Sequence, residues 1–255
     1  NGGNVTPTLP GHQTNDLLLC AATSNDNTAH SVATSGWTEV YQLAQTGSGN
    51  PRSSLFYKKA ASAAETNPTF THTGGGGIVA GCAAFRGVDT TTPFDVAYAA
   101  SHYADTVNSN NVTSGSMTTV TPDAMMLFAG HINNNNSCSL SPSVTGGLTW
   151  NESLCFESGL GADETIAIHY ATQAAAGAIG PITFTGGNND NRGVLLALRP
   201  QPAAVAAHRY RVTVDHSNGV SAFVTVDRDL TGTGTSYATV IPTYDAKAIV
   251  TQAAV

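Results

Sequence analysis

Apolar residues come in short runs of four to nine, separated by clusters of Gly, Asn, Ser, Pro and Asp. Leu17 to Ala22 is continuous and apolar, as expected of a central strand covered on both faces. Ser54 to Ala60 and Thr165 to Ala171 alternate more clearly between apolar and polar positions, the pattern of a half-buried strand. Thr46 to Pro51, Gly74 to Gly77, Asn133 to Asn136 and Gly186 to Asp190 have turn composition. No helical amphipathic stretch of useful length is present, so Ala60 to Glu65 and Ala174 to Ala178 are read as loops.

The pattern occurs twice. Asp16-Leu17-Leu18-Leu19 matches Asp123 followed by Ala124-Met125-Met126-Leu127, and Gly36-Trp37-Thr38-Glu39 matches Gly147 through Trp150 to Glu152. Ser54 to Ala60 matches Ile166 to Thr172, Pro68 to Thr71 matches Pro181 to Thr185, and Gly77 to Arg86 matches Gly193 to Arg199. The offset is 107 from Asp16 to Asp123, 111 from Gly36 to Gly147, and 113 both from Tyr57 to Tyr170 and from Pro68 to Pro181. The order holds and the drift is small, which predicts an all-β antiparallel sandwich, jelly-roll-like, with two pseudo-repeats around 12–95 and 120–200 sharing one interior.

Three parts follow: a sandwich domain over 1–200, a linker over 201–207, and a small β unit over 208–255 serving docking or oligomerisation. In that unit His208 to Asp215, Val220 to Val226, Tyr237 to Pro242 and Ala246 to Val250 read as strands, with a turn at Asn218-Gly219.

Composition narrows the function. Charged residues make up 11% of the 255, against roughly 25% in an ordinary soluble domain. The formal net charge is −7 and only ten Lys and Arg exist, which argues against a phosphate-binding basic patch and hence against nucleic acid. No apolar run reaches the roughly 18–20 residues that span a bilayer, so membrane insertion is not expected. Of four cysteines, Cys20 and Cys82 lie in apolar runs and are expected as buried free thiols, while Cys138 and Cys155 flank one loop and are candidates for a disulfide.

Signatures of nucleophile elbows, phosphate loops, dinucleotide folds and zinc proteases are missing. Asp163-Glu164 would point to opposite faces of a strand and are read as a solvated turn. His131 and His169 fall in predicted strands without a set of convergent zinc ligands. No cofactor is expected. Asp89 and Asp95 are read as organisers of a turn through side-chain to backbone bonds, with a Ca²⁺ site as the alternative. Trp37 and Trp150, at equivalent places in the two halves, are expected in or beside the core; the functional reading of these, and of Tyr98 and Tyr103, is a sugar-stacking platform.

The run Gly11-His12-Gln13-Thr14-Asn15-Asp16-Leu17-Leu18-Leu19 is followed by Gly36-Trp37-Thr38-Glu39-Val40, Leu55-Phe56-Tyr57-Lys58-Lys59-Ala60 and Phe85 through Asp95. Thr121-Pro122-Asp123 and Leu195 to Pro200 complete the set. Together, over residues 5–200, these motifs resemble a group of β-sandwich proteins of tailed bacteriophages and bacterial surfaces, among them tail-fibre, minor-tail, head-fibre and decoration components. The resemblance implies a non-enzymatic structural or attachment role on a virion surface or otherwise outside the cell. Its implied partners are capsid or tail proteins, a host-surface glycan and further copies of the chain, for example in a trimer. The rival readings are a carbohydrate-binding adhesin and, behind it, a glycoside hydrolase or lyase.

Overall fold

The computed structural model describes residues 3–45, 51–133, 140, 146–157 and 164–202, and the backbone of three further strands within 208–254. In chain order the first half holds β1 (Leu17–Ser24), β2 (Ser31–Val32), β3 (Thr38–Ala44), β4 (Arg52–Lys59), β5 (Phe70–Thr71) and β6 (Ile78–Phe85). The second half holds β7 (Tyr103–Thr113), β8 (Met117–Thr118), β9 (Ala124–Ile132), β10 (Asn151–Glu157), β11 (Thr165–Gln173), β12 (Ala178–Ile179) and β13 (Thr183–Leu198). The chain divides into two compact units, 1–201 and 202–255. In the second unit β14 (His208–Asp215) pairs antiparallel with β15 (Ser221–Arg228) on one side and β16 (Ile249–Ala254) on the other.

The first unit is all-β and antiparallel. One sheet has the order β3-β4-β1-β6, the other β10-β11-β9-β13-β7. The first-half strands occupy the same sequence of places as their second-half counterparts, and β7 extends the second sheet at its edge. In a jelly roll the chain winds between the two sheets. Here each half of the chain builds a sheet of its own, so the jelly-roll expectation is corrected to two sheets laid face to face.

Why β1 reads as an unbroken apolar run is now visible. All eight of its residues are buried. Leu17, Leu19 and Ala21 face the second sheet and pack in one cluster with Leu127, Ala129, Ile166, Ile168, Val194 and Leu196. Leu18, Cys20 and Ala22 point the other way, into a second cluster closed by Leu9, Phe56 and Phe70. The N-terminal segment and the β2–β5 ladder lie over that outer face, with Val5 bridging Phe70. The second sheet is treated alike: Met126, Phe128 and Leu195 on its outer face pack with Met117 of β8, Ile179 of β12, Trp150 and Phe184. Each sheet thus buries both faces, and β1 and β9, at two residues per pleat repeat, need apolar side chains at nearly every position.

Cys20 and Cys82 are opposite partners in the β1–β6 register and form a disulfide. Their expectation as free thiols is therefore corrected: burial in apolar runs was read rightly, but antiparallel pairing brings the two side chains onto the same face. The Cys138–Cys155 pairing, the Asn218-Gly219 turn, the Tyr237 to Pro242 strand and most of the 201–207 linker lie outside the described residues.

Candidate functional site

Two polar concavities lie in the first unit. The first sits between the sheets and is built around Arg192. This β13 residue is 2% exposed, yet it carries a full charge. Its guanidinium meets the Asp105 carboxylate in two parallel bonds, Nε to Oδ1 at 2.6 Å and Nη2 to Oδ2 at 3.0 Å. Nη1 donates across to the first sheet, to the Leu43 carbonyl at 2.7 Å and the Ser53 hydroxyl at 2.9 Å. The far side of the same guanidinium lies over the Tyr103 ring, 5.5 Å from its centre. Beside it, the Tyr41 hydroxyl and His131 Nε2 share a 2.9 Å hydrogen bond that also joins the two sheets. Burial first, and then the Arg192 charge, push the His131 pKa down to about 3, so this imidazole is neutral.

Glu164 completes the group. It is fully buried and accepts the Thr23 hydroxyl at 3.3 Å. The reading of Glu164 as part of a solvated turn is therefore corrected; Asp163 lies outside the described residues. The recess among His131, Glu164, Asp190 and Arg192 has a cavity volume of about 10 Å³. That is room for roughly one water and far below the ~300–1,000 Å³ of ordinary ligand pockets. Arg192, His131 Nε2 and Tyr41 tie the two sheets together, while among the described residues His131 Nδ1 and Asp190 Oδ2 have no hydrogen-bond partner.

A second histidine cluster lies where the loop after β1 meets the Gly74 to Gly77 run. His30 is buried between two serine hydroxyls, Nδ1 at 2.7 Å from Ser54 and Nε2 at 2.9 Å from Ser24. Its pKa is pushed down to about 3 by burial first and by the charges of His72 and Arg52. His72 is 4% exposed and pairs with Asp26 at 2.8 Å. Asp26 Oδ2 also takes the Gly76 N–H at 2.7 Å, which explains the glycines: side chains at 74 and 76 would run into Asp26 and Asn25. Among the described residues no group of three His, Cys, Asp or Glu side chains is placed to hold a metal ion.

The six candidate residues from sequence fall in different places. Trp150 is 5% exposed and set edge-on to Phe128 and Phe184 in the outer core of the second sheet. Trp37 is half-buried against the outer core of the first sheet, so the two tryptophans lie on opposite flanks of the sandwich. Tyr98 is half-buried, its ring tilted on Tyr41 at 5.2 Å and edge-on to His102 at 6.0 Å. Tyr103 lies under Arg192, as described, which brings it near Tyr98 but engages it with the guanidinium. Asp89 and Asp95 share a loop but not a site. Asp89 Oδ1 accepts the N–H groups of Thr91 and Thr92 at 2.8 and 3.0 Å, and these bonds hold its carboxyl below the usual range. Asp95 is buried; burial alone would raise its pKa, but bonds from Thr121 and Val120 outweigh that and leave it lowered. Its Oδ2 takes the Val120 N–H at 2.7 Å and its Oδ1 lies 3.5 Å from Arg199 Nε.

The second concavity escaped sequence reasoning. It is a shallow surface groove of about 100 Å³. Asn15 and Leu17 enter it from the start of β1, Tyr57 and Lys59 from β4, and Asp89 and Thr90 from the loop after β6. Leu17 and Lys59 are register partners, which is why residues 42 apart in sequence share one wall. The loop is fixed to the end of β13 through Asp89 N–H to Arg199 carbonyl and Arg199 N–H to Pro93 carbonyl, both at 2.9 Å.

No family model matches the chain, and neither a curated protein nor a solved structure matches it.

Proposed function

We propose that this chain is a non-enzymatic structural component displayed on the surface of a bacteriophage particle, as capsid decoration or as part of a fibre. The observation that carries the reading is the Cys20–Cys82 disulfide inside the outer core of the first sheet. Disulfides persist in oxidising surroundings, virion and cell surfaces among them, and are rare in the reducing cytosol. The motifs of residues 5–200 and a surface rich in Thr, Asn and Ser, with few charges to desolvate when copies pack together, support it further. In this reading the second unit, 202–255, joins the module to the particle or to further copies.

The test is immunogold electron microscopy with antibody to the purified chain. Labelling of intact particles from the source culture is the expected result. Label confined to cell interiors, with bare particles, overturns the proposal.

A further inference from the structure

We propose that the groove between β4 and the Val88 to Pro93 loop binds one neutral sugar ring. Its floor is apolar: Leu17 and Val88 are 3% and 4% exposed. One wall is the half-buried Tyr57 ring, held by Phe94 in an edge-to-face contact at 5.1 Å. An aromatic wall over an apolar floor suits the C–H face of a pyranose.

The polar groups around this surface are of both kinds and are uncommitted. Asp89 uses Oδ1 for its own turn, and among the described residues Oδ2 has no hydrogen-bond partner. The Asn15 carboxamide, the Lys59 ammonium and the Thr90 hydroxyl likewise bond no other described residue. A ring hydroxyl both donates and accepts, so donors from Asn15 and Lys59 and acceptors from Asp89 and Asn15 can be used together. One positive and one negative side chain leave the groove without net charge. A phosphate would gain Lys59 and meet ionised Asp89, and a cation would meet the reverse. A neutral polyhydroxylated ring avoids both penalties.

The groove is also preformed. Asn15 has φ +72°, the left-handed region that non-glycine residues enter at a cost, and it is held there from both sides. Its N–H bonds the Ala60 carbonyl at 2.8 Å, and next to it Asp16 is clamped by Arg86 at 2.9 and 3.0 Å. These bonds fix the backbone around Asn15, which lines the groove. This inference stands apart from the particle assignment, since sugar binding and particle labelling are read out separately and either can fail alone.

Saturation-transfer NMR on the full chain tests it, with glucose, galactose, mannose and N-acetylglucosamine each at up to ~20 mM, enough to populate a millimolar site. The expected result is transfer to ring C–H protons of at least one sugar. Two variants should each weaken that binding by about tenfold or more. Asn15→Gly keeps the left-handed backbone and removes the carboxamide. Asp89→Asn keeps the Oδ1 acceptor of the turn and turns the free acceptor into a donor. Both should leave Tm within a few degrees of the parent. The proposal is overturned if none of the sugars receives transfer, if both variants bind as the parent does, or if inorganic phosphate displaces the sugar.

Discussion

Arg192 and Asp105 stand directly opposite each other on β13 and β7 and meet in a two-pronged ion pair, while the remaining guanidinium nitrogen reaches into the other sheet. The arrangement joins an edge strand, a central strand and the facing sheet through one side chain. Arginine can do this because its donors form a rigid planar fork that stays charged when buried.

Asp105→Ala should therefore cost more than an exposed ion pair would. Arg192 is buried and would be left without its counter-charge, so the expected loss is about 2–4 kcal/mol, discounted from the fully buried case because the Asp105 side chain is 31% exposed. The midpoint of urea unfolding measures it. A midpoint unchanged from the parent would mean that the fork contributes nothing net.

Reduction should weaken the first sheet. The Cys20–Cys82 bridge closes a sequence separation of 62, for which chain entropy predicts a contribution of about 4 kcal/mol. The double variant Cys20→Ala/Cys82→Ala should melt well below the oxidised parent in a calorimeter. The bridge is sealed among Leu18, Ala22 and Phe70, so added thiol should reduce it only as fast as the protein unfolds. Rapid reduction of the native protein would contradict that burial.

Three neutral histidines set an acid limit. His30 and His131 are pushed down to about 3, and His169 to about 4, by burial first in each case. The unfolded chain protonates its histidines near 6.5, so between that pH and the folded values the unfolded state holds more protons. Stability should be flat above about pH 7 and fall as the pH drops through 6.5 toward 4, by on the order of several kcal/mol in total. Asp26, whose carboxyl the Thr28 and Gly76 N–H groups and His72 keep well below its usual range against the opposing effect of burial, adds a loss at still lower pH. Urea midpoints from pH 7.5 to 4 measure the slope, and His131→Gln should flatten it. A slope equal in parent and variant would remove His131 from the account.

At Gly193 β13 packs tightly against the backbone at the end of β7. A methyl group there would sit 2.6 Å from the Thr113 carbonyl carbon and oxygen, backbone atoms that cannot swing aside. Gly193→Ala is expected to lower stability by about 1–3 kcal/mol through overpacking. Gly75→Ala, where a methyl meets nothing within 4 Å, should change Tm little and serves as the control.

Strands with apolar runs were legible from sequence because burial on both faces writes itself into every position. Leu17 to Ala22 falls within β1. Thr165 to Ala171, whose alternation predicts a half-buried strand, falls within β11, where nearly every one of those residues is buried. Strand β7 was not legible. As an edge strand it pairs on one side only, and Ala104-Asp105-Thr106-Val107-Asn108-Ser109-Asn110-Asn111 is half exposed, interrupted by register shifts and mostly polar. The disulfide needed the β1–β6 register, which no spacing rule supplies. Arg192 announced itself only faintly, as a charge at the head of the apolar run Val194 to Leu198. The groove draws on residues 15–17, 57–59 and 88–93, three segments that become neighbours only after the sheet has formed.

Strand β6 ends its sheet, hydrogen-bonded to β1 alone. An outermost strand is ordinarily the first to peel when a protein is pulled, since its ladder bonds can break one at a time. Here a covalent rivet lies near the middle of that ladder, at Cys82. Tension applied at the Phe85 end would open three rungs and then stop. A flank of the molecule that would otherwise peel is thus held against rupture, a useful property for anything that must hold its shape under shear.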